Sequence, residues 1–202
     1  YYDSLVESLL PTQAEIEAYY TEHEAEFVEK KFSKDDGNYY DVRHILIAPT
    51  GGTTNEGGTV GYTDAEWEAC RESAQLVLDG YLAGEALEEN FAKLAKQKSQ
   101  DPGSAANGGL YTDLTKSTNF VESFKNWYLD ESRKVGDTGL VKSEHGYHIM
   151  YFSGSKVIWQ YEAESALMTE KTNKILDDAM VKYPMEVNYK KIVLGEISLV
   201  EE

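Results

Sequence analysis

The apolar positions of the chain change period several times, and each change marks an element. From residue 12, apolar side chains fall at Ile16, Tyr19, Tyr20 and Phe27, the three-to-four-residue step of a helix face. Thr12 and Glu15, just after Pro11, form a T-x-x-E capping box that predicts where this helix starts. Upstream, Leu5, Leu9 and Leu10 have no cap before them, which predicts that the sequence begins inside a longer helical region with further chain before it. The run D-V-R-H-I-L-I at 41–47 is apolar and rich in β-branched residues, so it reads as a strand ending at Pro49, followed by a glycine-rich mobile loop to Gly61.

Thr63 and Glu66 repeat the capping box, and Trp67, Cys70, Ala74, Val77, Leu78 and Tyr81 then line one face of an amphipathic helix. A second helix turns Phe91, Leu94 and Ala95 inward and its lysines outward until S-Q-D-P-G at 99–103 breaks it. After the glycine loop Asn107-Gly108-Gly109, Phe120, Phe124, Trp127 and Tyr128 predict a third, shorter helix. The segment G-Y-H-I-M-Y-F at 146–152 reads as a strand whose alternation sends His148, Met150 and Phe152 to one face. Leu167, Ile175, Leu176, Ala179 and Met180 predict a long helix ending near Pro184, with a closing strand through Val187, Tyr189, Ile192 and Val193. The central order is strand, three helices, strand, and no fixed-period repeat runs through it.

Composition narrows the possibilities. With 202 residues the chain accommodates one domain of about 100 residues and substantial flanks. Its 41% hydrophobic content is ordinary, and no stretch approaches the roughly 18 apolar residues a membrane-spanning helix needs. Thirty-six acidic against 19 basic side chains give a formal net charge of −17, which repels phosphate backbones and excludes nucleic acid as the expected partner. The single cysteine, Cys70, rules out an internal disulfide. It lies in a helix stripe, where a buried small apolar residue is expected rather than a nucleophile.

Two histidines sit on the two predicted strands of this unit: His44 in V-R-H-I-L and His148 in G-Y-H-I-M. Between them, in matching order, lies F-A-K-L-A-K-Q-K-S-Q-D-P-G-S-A-A-N-G-G-L at 91–110. Together these segments resemble the parvulin family, the PpiC-type rotamases, over roughly residues 40–154. The resemblance implies an α+β fold: an antiparallel four-stranded sheet surrounded by helices, with the two histidine strands as central neighbours. Residues 1–39 are then expected to form a helical linker or part of a chaperone-like lobe, and residues 155–202 a helix and strand packing with that lobe.

The implied activity is peptidyl-prolyl cis/trans isomerisation, noncovalent and without a cofactor. Carried over by motif, Asp101, His44, His148 and Ser143 are the catalytic candidates, and Leu110, Phe120 and Phe124 the apolar slot for the proline ring. The chemistry suits these residue types. Rotation about a prolyl bond meets a barrier set by amide resonance, of about 18–20 kcal/mol, and no bond need be made or broken. An apolar slot beside polar groups holds the ring and favours the twisted amide.

The sequence departs from the family in two places. The G-D-L-G that usually follows the glycine pair is shortened to Gly109-Leu110-Tyr111, which motivates an alternative reading as a non-catalytic peptide-binding chaperone module. The loop before Gly61 lacks the basic cluster of phosphate-selecting members, so no phosphate requirement is expected.

Plainer readings stand beside these. Strand histidines serve structural hydrogen bonds, Asp-Pro-Gly is ordinary turn chemistry, and Phe120 with Phe124 at i,i+4 suits a core. His145 and His148, three apart on a strand, would face opposite ways, which argues against a metal pair. No G-x-S-x-G surrounds Ser143, so a serine hydrolase is not expected. Flanking helices around such a domain also resemble bacterial foldase lipoproteins and periplasmic chaperones. The expected partners are therefore unfolded chains containing X-Pro bonds, in an extracytoplasmic setting, with any signal or lipid anchor lying outside this sequence.

Overall fold

A computed structural model describes residues 9–184, so the closing strand expected at 187–193 and Leu5 lie outside the described residues. The chain divides into two compact units, Val28–Trp159 and a flanking unit made from the segments up to Phe27 and from Gln160 onward.

In the flanking unit, α1 (Gln13–Glu22) starts at the capping box read from the sequence. Glu15 accepts from the Thr12 backbone N–H at 2.7 Å, and Thr12 Oγ1 accepts from Glu15 N–H at 3.3 Å. The short α2 (Glu24–Glu29) follows, and Tyr20 and Phe27 meet with ring centroids 5.3 Å apart. The long α6 (Ile158–Lys182) carries Lys171, whose ammonium lies 2.8 Å from Glu15 and holds that carboxyl down to about 2.

In the larger unit, β1 (Asn38–Ile47), β4 (Leu110–Leu114), β5 (Thr138–Ser143) and β6 (Gly146–Val157) form one antiparallel sheet in the order β4-β1-β6-β5. The two histidine strands are its centre. Their pairing sets His44 opposite Met150 and Leu46 opposite His148. Because side chains alternate along a strand, the sheet sorts its apolar residues into two cores. On one face Val42, Met150, Phe152 and Val141 pack against Phe124, Trp127 and Tyr128 of α5 (Glu122–Tyr128). On the other, Ile45, Ile149 and Tyr151 pack against Ala74, Leu78 and Tyr81 of α3 (Asp64–Leu82) and Phe91 and Ala95 of α4 (Glu88–Lys98). The faces of α3 and α4 read from the sequence are the faces that pack on the sheet, and Cys70 is buried on α3 with its thiol against the Ile47 carbonyl, whereas Ile175, Leu176 and Met180, from which α6 was read, are exposed.

Two strands were not visible in the hydrophobic pattern: β4, in which Thr112 and Asp113 are exposed, and β5. The segment read as a loop to Gly61 contains a short hairpin, β2 (Thr53–Thr54) and β3 (Val60–Gly61). Asn55 closes it, its side-chain oxygen accepting from the N–H groups of Gly57 and Thr59 at 3.0 Å each. The hairpin's base is tied to α3, because Glu66 accepts from Gly52 N–H at 2.7 Å while serving the capping box at Thr63. Glu66 thereby couples the start of a helix to the placement of the hairpin.

Candidate active site

The site forms where β1 outlasts its neighbour β4. β4 pairs with β1 only over Tyr40–Arg43, leaving the following backbone groups of β1 to find other partners. His44 N–H donates to the Gly109 carbonyl at 2.9 Å, Leu46 C=O accepts from Gln100 N–H at 2.9 Å, and Leu46 N–H donates to Ser99 Oγ at 3.1 Å. Thus the S-Q-D-P-G break after α4 completes the sheet edge, and that docking delivers Asp101 to His44. Gly109 is required at this edge. Its φ is +74°, and a Cβ there would stand 2.2 Å from the His44 carbonyl oxygen.

The buried polar side chains of the described residues are His44, Ser104 and His148, and all three belong to one network. The Nδ1 atoms of His44 and His148 face each other at 3.1 Å. His44 Nε2 lies 3.1 Å from Asp101 Oδ2, and Ser143 Oγ lies 2.7 Å from His148 Nε2. Ser104 Oγ and Tyr111 Oη also donate to Asp101 Oδ2, the tyrosine at 3.0 Å. Three donors therefore converge on one carboxylate oxygen.

These contacts dictate where the protons are. The hydrogen bond from His44, together with those from Ser104 and Tyr111, holds the Asp101 carboxyl well below the usual carboxylate range against the opposing effect of its burial. An ionised carboxylate only accepts, so His44 Nε2 carries a proton. Burial, helped by the neighbouring His44, holds the His148 imidazole down to about 4, so it is neutral at pH 7. One proton, not two, fits between the facing Nδ1 atoms. Ser143, His148, His44 and Asp101 thus form one continuous hydrogen-bonded line.

Aromatic rings hold this line of imidazoles. Phe124 stands nearly perpendicular to both, with centroid distances of 5.2 Å to His44 and 5.4 Å to His148. Phe120 stacks on Phe124 at 4.9 Å, and Tyr111 meets Phe120 at 5.0 Å. Above them opens a cavity of about 660 Å³, lined by His44, His148, Asp101, Tyr111, Phe120 and Phe124 among others, with Val60 and Tyr62 from the hairpin side. Its volume suits a short stretch of polypeptide with a proline ring.

The sequence-predicted residues meet here with two qualifications. Ser143 reaches the far nitrogen of His148 and does not line the cavity. Leu110 does not line it either. Leu110 pairs with Arg43 and shares its side of the sheet, whereas Tyr111 pairs with Val42 and faces the histidines. Tyr111, and not Leu110, lines the cavity. Ser104 and Tyr111, which both donate to Asp101, were missed from sequence. His145, expected to face away from His148, sits in the β5–β6 turn and lines the same cavity, because a turn frees it from strand alternation. Phe124 answers to both readings offered for it, being 1% exposed in the core and also part of the cavity floor.

Comparison with known proteins follows the same lines. The family model described as PPIC-type PPIASE domain matches residues 27–156, well over half of the chain. A foldase protein PrsA of Exiguobacterium sibiricum is 33% identical over 113 residues, covering 50% of this chain and 37% of the relative. A chaperone SurA of Pseudoalteromonas translucida is 34% identical over 88 residues, covering 43% of this chain and 20% of the relative. The chain thus spans well under half the length of these relatives. Among solved structures, a peptidylprolyl isomerase (PrsA) from Bacillus cereus is 22% identical and covers 87% of this chain and 62% of its own, with a TM-score of 0.44. By its sequence match over residues 27–156, the chain belongs to the family of PPIC-type peptidyl-prolyl isomerase domains.

Proposed function

We propose that this protein is a peptidyl-prolyl cis/trans isomerase that assists the folding of extracytoplasmic polypeptides, using noncovalent catalysis and no cofactor. The observation that carries the reading is the Ser143–His148–His44–Asp101 line set beside an aromatic slot in an open cavity. The proline ring sits against Phe120 and the exposed edge of the slot, with Tyr111 as a further wall. His44, Ser104 and Tyr111 occupy Asp101 Oδ2, leaving Oδ1 for the substrate side. A carboxylate there opposes negative charge on the substrate carbonyl oxygen. Since amide resonance places charge on that oxygen in the planar ground state and withdraws it in the twisted state, the carboxylate lowers the barrier to rotation. The two histidines and Ser143 keep Asp101 ionised and fixed, acting by position and not by proton transfer to the substrate.

The extracytoplasmic setting and unfolded clients rest on the likeness to proteins named foldase and chaperone. The flanking helices are read as part of a client-binding lobe. The non-catalytic alternative drew its motive from the shortened Gly109–Tyr111 segment. That segment supplies Tyr111 to Asp101 and the Gly109 carbonyl to His44, which favours the catalytic reading. Two-dimensional exchange NMR on Ala-Pro peptides tests the reading. Catalysed exchange in the wild type that is lost in both Asp101→Ala and Phe124→Ala is the expected result, and a wild type without exchange overturns it.

A further inference from the structure

The mouth of the cavity is built from four stretches of chain: the hairpin region 49–62, the 99–111 segment around Asp101, residues 117–121 before α5, and the β5–β6 turn with the start of β6 at 143–148. Together these stretches contain three carboxylates, Glu56, Asp101 and Glu144, and neither a lysine nor an arginine. The nearest cations in sequence point elsewhere. Lys142 lies over Trp67 on the opposite face of the sheet, 4.3 Å from the ring centroid. Arg43, beside His44, turns to the other side and pairs with Glu88 at 2.8 Å. Lys116 lines a separate cavity with Lys30 and Lys31, and Lys125 is paired with Glu122 at 2.6 Å.

Of the three carboxylates, Asp101 is engaged by His44, Ser104 and Tyr111, and Glu56 sits in the exposed hairpin turn. Glu144 differs from both. It lines the cavity, its side chain is 77% exposed, and its neighbour in the described structure is His145, with Nε2 at 3.8 Å. The turn that carries it is fixed: Ser143 Oγ accepts from His145 N–H at 3.1 Å and bonds His148, and Gly146 packs against the Ile47 carbonyl where no side chain fits. Glu144 is therefore a carboxylate held at the rim of the substrate cavity, one residue from the network that defines it.

Resting on the isomerase reading above, we propose that this site selects prolyl bonds with a lysine or arginine immediately next to the proline, and that Glu144 is the residue that reads the cation. A peptide proline seated in the aromatic slot puts its neighbouring side chain at the cavity mouth. A cation there meets a field of one sign, undiluted by any opposing ammonium or guanidinium on the lining stretches. An aspartate or glutamate in the same place is repelled by the same field. Charge of this kind acts through solvent and is screened within about 10 Å at 0.1 M salt, so the preference depends on ionic strength.

The test compares kcat/KM by exchange NMR for peptides of one sequence bearing Lys, Ala or Glu on either side of proline, at low and high salt. Enzymes are the wild type, Glu144→Gln and Glu144→Lys in the full chain. The expected result is a Lys-to-Glu ratio of about ten at low salt that shrinks in high salt. That ratio falls toward one in Glu144→Gln and inverts in Glu144→Lys. Turnover of the Ala peptide with equal rates for Lys and Glu overturns the proposal while leaving the isomerase reading standing. A Lys preference unchanged in both variants overturns the assignment to Glu144. Absence of turnover for every peptide overturns the isomerase reading and this proposal with it.

Discussion

Asp101 Oδ2 takes donors from an imidazole, a serine hydroxyl and a phenol, so its negative charge anchors one end of the network. Replacing it by asparagine keeps the size but removes the charge and offers an N–H where acceptors are needed. Asp101→Asn is expected to lower the isomerase rate at least about tenfold, read by exchange NMR. His148 supplies a pH signature. Its folded value near 4 lies below the ordinary 6.5, so between these the unfolded chain binds a proton that the folded chain refuses. Stability is full above about 7 and falls as pH drops toward 4, by about 2 kcal/mol at pH 5. Urea titrations at pH 7 and 5 should show this loss in the wild type and a smaller one in His148→Gln. Asp101 works in a different window, because a depressed carboxyl contributes stability that disappears only as pH falls below the usual carboxylate range. Gly109→Ala forces a Cβ onto the His44 carbonyl at positive φ and is expected to cost about 2 kcal/mol or more, measured by the same titration.

At the scale of elements, the edge of β1 beyond β4 decides whether the site assembles. Ser99→Ala removes the hydroxyl that accepts from Leu46 N–H at 3.1 Å and from Asp101 N–H at 3.3 Å. It should cost about 1 kcal/mol and lower turnover as Asp101 loses its anchor, checked by denaturation and exchange NMR together. What the sequence made legible follows from the same geometry. The faces of α3 and α4 and both histidine strands could be read because burial imposes their periods, and the positions of Asp101, Phe120 and Phe124 came with the family motif. Leu110 falls outside the cavity and Tyr111 lines it because a one-residue shift in register reverses the face a side chain takes. The pairing of β4 is set by a contact with β1 that the sequence of β4 does not encode locally. Ser104 and Tyr111 escaped notice because a serine in a turn and one tyrosine among 15 carry no periodic signal. The hairpin at 53–61 was hidden for a like reason, since its strands are two residues each and exposed.

The molecule as a whole contains a unit, Val28–Trp159, with two cores of its own on the faces of one sheet. The flanking unit has a separate cluster around Tyr20 and Phe27. Calorimetry is therefore expected to depart from a single two-state transition, with a van't Hoff enthalpy below the calorimetric one. The central strands carry a further consequence. His44 and His148 are 104 positions apart, and β1 can acquire its inner neighbour only when β6 has been made. During synthesis from the N-terminus, β1 waits with an unpaired edge and apolar faces while about a hundred residues follow it, and pairings of such sequence separation form slowly. A protein proposed to hasten the folding of others thus has a late-closing centre of its own, and the interval before closure is when its nascent chain is most open to aggregation.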